Sequence, residues 1–110
     1  MTNKPRILLF DIETSHNVLA AFDLYSSNSH YNILQERYII CAAWKWLGES
    51  MVHTTSVADY PKRFSKSPND DFDVVKKLHE VISSADAVCA HYGDKFDVKM
   101  LNSRVVYHGL

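Results

Sequence analysis

The run Ile7-Leu8-Leu9-Phe10 leads without a break into Asp11-Ile12-Glu13-Thr14, and no other stretch of the chain restricts its fold as much. Residues 6–12 are short, continuous and apolar on both faces, which is the pattern of a central strand in an α/β sheet. The strand period of two aims Asp11 and Glu13 at one face and sends Ile12 to the other. Two carboxylates so placed repel each other unless a cation or a basic group lies between them. A divalent metal meets that need. A solvated strand end followed by a Thr14-Ser15 turn is the other reading of the same residues, and the pair alone does not choose.

The 110 residues form at most one small domain, spanning 1–110. A chain of this size buries about two-thirds of its unfolded surface. With 46% hydrophobic and 23% charged residues, it falls among folded globular proteins rather than disordered ones. A formal charge of −1 argues against a domain that holds nucleic acid by bulk electrostatics alone. It leaves open a nuclease, whose phosphate contacts are local and whose metals add charge. Cys41 and Cys89 lie in apolar segments, with no Cys-x-x-Cys pair and no zinc-finger spacing, so both are expected to be buried, reduced thiols. Asp11 breaks the first apolar run, so the start is no signal peptide, and no run approaches membrane-spanning length. The expectation is a cytoplasmic protein with no membrane contact.

Periodicity places the other elements. Residues 15–34 intersperse polar residues with Leu19, Phe22, Leu24 and Tyr25, and are expected to form an irregular excursion whose aromatic residues dock on the core. Residues 37–47 and 51–57 are rich in β-formers and flank Gly48, which predicts an antiparallel hairpin. Residues 59–69 hold Pro61 and Pro68 and read as a loop. Phe72, Val75, Leu78 and Ile82 recur at helical spacing behind an acidic start, predicting an amphipathic helix over 70–84. Residues 85–90 read as a second short buried strand. After Gly93, residues 94–107 read as a helix with Asp94 as its N-cap and Gly109 as its stop.

Asp97 falls in the first turn of that last helix, a place where an acid also simply favours the helix dipole. It can be aimed at Asp11 and Glu13 if the two strands are neighbours.

Phe10-Asp11-Ile12-Glu13-Thr14 and His91-Tyr92-Gly93-Asp94-Lys95-Phe96-Asp97 together resemble the first two motifs of the DEDD-type 3′–5′ exonucleases. These belong to the ribonuclease H-like superfamily, and the likeness is to their phage and bacterial proofreading-like branch. Ile39 to Leu47, Leu101, Arg104 and His108-Gly109-Leu110 also look like this branch. Tyr92 departs from it, standing where many relatives have Asn. The family's third motif supplies a further aspartate and a water-orienting Tyr or His from a later helix, and the resemblance stops short of it. The implied fold is therefore a ribonuclease H-like mixed sheet with flanking helices, C-terminally incomplete.

The resemblance implies hydrolysis of single-stranded DNA or RNA from the 3′ end, with two Mg²⁺ or Mn²⁺ ions roughly 4 Å apart. In that scheme Asp11 bridges both metals, Glu13 binds the one that activates water, and Asp97 holds the other. Thr14, His91, Tyr92 and Lys95 are the candidate substrate contacts. Lys45, Lys62, Arg63 and Lys66 are further candidates for phosphates, with 59–69 as a flap. Trp44, Trp46 and Tyr38 are expected in the core or on a sheet face. A truncated or split domain would be completed by a second polypeptide or by its own copy. The alternative is a catalytically defective nuclease-like module that binds nucleic acid or a protein.

Overall fold

A computed structural model describes residues 4–21, 31–91 and 96–110. Its centre is β1 (Ile7–Thr14), as the apolar run requires. Strand β4 (Ile39–Trp46) pairs antiparallel with it, and β5 (His53–Ser56) pairs antiparallel with β4. The expected hairpin is therefore present, turning at Gly48 with φ +91°. Strand β6 (Ala87–Cys89) joins the other side of β1 in parallel. The order is β5-β4-β1-β6, a mixed four-stranded sheet.

Alternation along β1 sorts the two faces. Leu8, Phe10 and Ile12 are buried, while Asp11 and Glu13 are exposed. The buried side meets α2 (Phe72–Ser83) and α3 (Asp97–His108), whose Val74, Val75, Leu78 and Leu101 join Ile39, Ala42 and Trp44 in one core. Gly109 ends α3 in the left-handed region at φ +72°, and the Leu110 N–H closes on the Val105 carbonyl at 3.1 Å. A Cβ at Gly109 would meet nothing within 4 Å, so Gly109→Ala is expected to cost only backbone strain. The urea midpoint should fall by the equivalent of about 1–2 kcal/mol.

Several expectations are corrected. Residues 15–34 contain two strands, β2 (Val18–Ala21) and β3 (Tyr31–Gln35), forming a separate antiparallel ribbon. Leu19 is exposed on that ribbon; Phe22 and Tyr25, the aromatic residues expected to dock on the core, lie outside the described residues, as does Leu24. The stretch 59–69 is largely ordered into a helix, α1 (Pro61–Lys66), behind a 3₁₀ turn at Val57–Asp59. Proline, read as a breaker, here occupies the first helical position, where its missing N–H is no loss.

Strand β6 is present but not buried. All of its residues are exposed at the edge of the sheet. Cys89 is consequently exposed and Cys41 half-buried, both as free thiols, which corrects the expectation of two buried ones. Asp94 lies outside the described residues; α3 begins at Asp97 with Phe96 in the N-cap position. Trp44 is in the core and Trp46 packs against it, as expected. Among the described residues no helix is long and apolar enough to cross a membrane.

Candidate functional site

Pairing of β6 with β1 ends at Leu9↔Cys89. The Ile12 N–H lies beyond that point, on the side of β1 away from β4, and no strand accepts it. The carboxylate of Asp97 does, through Oδ2 at 3.1 Å. The bond draws the first residue of α3 onto the stretch of β1 that carries Asp11 and Glu13. Asp97 is buried at 4% exposure, whereas the other two acids are exposed. The adjacency that the sequence left open is thus present.

Asp11 and Glu13 face a groove of about 210 Å³ on the sheet face opposite the helices, lined also by Cys41, Thr54, Ser56 and Asp59. Cross-strand pairing explains the membership. Glu13 stands opposite Cys41, which stands opposite Ser56; Asp11 stands opposite Ala43, which stands opposite Thr54. Among the described residues no ion pair neutralises Asp11 or Glu13. Burial, then the nearby Glu13 and Asp11 carboxylates, push the Cys41 thiol above its ordinary range, so at neutral pH it adds no charge. Asp59 also lines the groove, with Oδ2 accepting the Ser56 N–H at 2.9 Å.

The donors offered to a cation are carboxylate and hydroxyl oxygens, which suit Mg²⁺ or Mn²⁺. They do not form a closed cage. Among the described residues the one trio of His, Cys, Asp or Glu with ligand atoms within 4.8 Å of one another is Asp70, Asp71 and His108. Asp11, Glu13 and Asp97 are spaced more widely.

That tighter trio is better explained as a structural knot. The fully buried Asp71 receives four bonds. Arg104 Nε donates to its Oδ2 at 2.9 Å and Arg104 Nη2 to its Oδ1 at 2.8 Å. The Ile39 N–H donates to Oδ2 at 2.8 Å, and His108 Nε2 lies 2.6 Å from Oδ1. Burial pushes this carboxyl up, but the Arg104 bonds, the Ile39 N–H and His108 outweigh it and hold it below the usual carboxylate range. Its lone pairs are spoken for, which leaves little for a metal. Asp70 is occupied too, accepting the Phe72 N–H at 3.0 Å and pairing with Arg63. Sequence reasoning missed Asp71. The available signal was Arg104 and His108, four residues apart on one helix face.

The remaining candidates separate. Thr14 is half-buried at the end of β1, paired with Ile39 after a register shift. His91 is exposed at the exit of β6. Tyr92 and Lys95 lie outside the described residues. Lys45 is half-buried across from Leu9. Arg63 is withdrawn from phosphate contact: Asp73 takes its Nε at 2.6 Å, Asp70 takes Nη1 at 3.2 Å, and Phe72 lies beneath the guanidinium. Lys62 and Lys66 remain exposed on the rim of a larger cavity that Asp59 also lines. No family model, curated protein or solved structure matches this chain.

Proposed function

We propose that the chain carries the carboxylate centre of a ribonuclease H-like, metal-dependent nuclease of the 3′–5′ exonuclease type, acting on single-stranded ends. The observation that carries this reading is the bond from the Ile12 N–H to Asp97, which sets a third acid beside Asp11 and Glu13 at one strand end. The order β5-β4-β1-β6, with one parallel strand following a helix, also favours it. Asp11 and Glu13 would hold a divalent cation from the open face, and Asp97 would approach from the flank. A cation bound there supplies Lewis acidity to a phosphodiester and to the attacking water. The chain itself orients the acids by strand alternation and by one backbone bond, and it leaves the groove open for a strand.

A second reading, a binding module without catalysis, is favoured by the wide spacing of the three acids. The two separate in one experiment. The chain is incubated with 3′-labelled and 5′-labelled single strands and Mn²⁺, beside Asp97→Asn. The nuclease reading expects stepwise loss from the 3′ end that falls by roughly 10²-fold or more in the variant. Strand binding without shortening would leave the module.

A further inference from the structure

We infer that Arg37 is the phosphate-gripping residue of this centre, a reading that rests on the nuclease proposal and deepens it. The chain has four arginines, and three are committed to protein partners. Arg104 bonds Asp71, Arg63 bonds Asp70 and Asp73, and Arg6 lies over Trp46 with Nη1 3.5 Å from the Ser84 carbonyl. Arg37 is different. Its Nε is buried with no hydrogen-bond partner, and among the described residues no carboxylate pairs with it. A buried donor left unmade is costly enough to demand a reason.

Its position supplies one. Arg37 follows β3 where the ribbon rejoins the sheet, and its backbone is clasped to the exit of β1. The Asn17 side chain accepts the Arg37 N–H at 2.6 Å, Ser15 Oγ accepts the Tyr38 N–H at 3.0 Å, and the Tyr38 carbonyl accepts the Ser15 N–H at 2.9 Å. The guanidinium carbon lies 6.0 Å from the ring centre of Phe96, the residue just before Asp97. A fixed backbone therefore holds a guanidinium whose Nε has no protein acceptor, and which no carboxylate pairs with among the described residues, beside the helix start that delivers the third acid. A guanidinium's planar fork matches phosphate oxygens. Arg37 does not line the groove that holds Asp11 and Glu13; it would meet a phosphate flanking the one at the acids, on the Phe96 side.

The test uses the 110-residue chain, a 5′-labelled single-stranded oligonucleotide, Ca²⁺ for binding and Mn²⁺ for cleavage. Arg37→Gln is expected to weaken binding roughly 10- to 100-fold. It should also reduce the slope of log affinity against log salt by about 0.7. Arg37→Lys should keep the salt slope and lose part of the affinity. Cleavage by Arg37→Gln should show a raised KM with kcat little changed. The melting temperature of Arg37→Gln should be no lower than that of the unsubstituted chain.

Unchanged affinity and salt slope in Arg37→Gln would overturn the assignment, and so would a binding loss accompanied by a lowered melting temperature. If the chain cleaves and Arg37→Gln cleaves with the same KM, Arg37 fails and the nuclease stands. If the chain binds strands through Arg37 and never cleaves, the nuclease fails and Arg37 stands. A chain that does neither overturns both.

Discussion

Asp71→Ala is expected to remove most of the stability of this domain. The substitution deletes the acceptor for Arg104, His108 and the Ile39 N–H together, and leaves a guanidinium only 8% exposed without its partner. Glu36, 3.9 Å from Arg104 Nη1 and largely exposed, is too distant to substitute. Breaking a buried pair from one side costs about 3–5 kcal/mol, a large part of the roughly 5–15 kcal/mol that holds a small domain together. The melting temperature should fall by roughly 15 °C or more. Asp71→Ala combined with Arg104→Met should recover part of the loss, since no charge is then stranded. A double-mutant cycle read by urea denaturation checks this, and strictly additive losses would count against it.

The same carboxylate sets the acid limit. Its folded-state value is depressed, so its contribution is complete above the unfolded value of about 3.9 and disappears as pH falls below it through the folded value. Urea midpoints measured downward from pH 5 should drop more steeply for the native chain than for the double variant.

Asp11→Asn is expected to move activity and stability in opposite directions. Asp11 and Glu13 share a face without a protein cation between them, so removing one charge relieves repulsion in the metal-free chain. Thermal stability without metal should rise by a few tenths of a kcal/mol, the scale of like-charge pairs on a sheet face. Strand shortening should fall by roughly 10²- to 10³-fold. The thermal shift that Mn²⁺ gives the native chain should shrink or vanish in the variant, because the stabilisation follows the ratio of metal concentration to Kd. A variant melting lower without metal would overturn the repulsion argument, and one gaining as much from Mn²⁺ would place the cation elsewhere.

Elements governed by local periodicity were legible in the sequence. Strand β1, the β4–β5 hairpin and helices α2 and α3 all follow from apolar spacing and from Gly48 and Gly109. The β2–β3 ribbon was not, since its segments are short and mixed with polar residues, and Val18, Leu19, Ile33 and Leu34 are exposed, so no burial there enforces alternation. Helix α1 was hidden by Pro61, which serves equally to open a helix or to break one. In the site, the pairing of Asp11 with Glu13 was readable because alternation is a local rule. The burial of Asp71 was not, because its partners lie 33 and 37 residues away. An acid at a helix start has an adequate local explanation, and the one hint of more, Arg104 and His108 on one face of α3, does not say which acid they hold.

The bond between the Ile12 N–H and Asp97 is made by the main chain of β1, and that fact has a practical use. Side-chain substitutions at Ile12 leave the donor intact, so the third acid keeps its seat through changes that would disturb a side-chain contact. Its amide proton also becomes a single-site gauge. Solvent exchange at Ile12 requires this bond to open. The rate of exchange of one proton, followed with and without Mn²⁺, would therefore report whether the ion steadies the contact between Asp97 and β1.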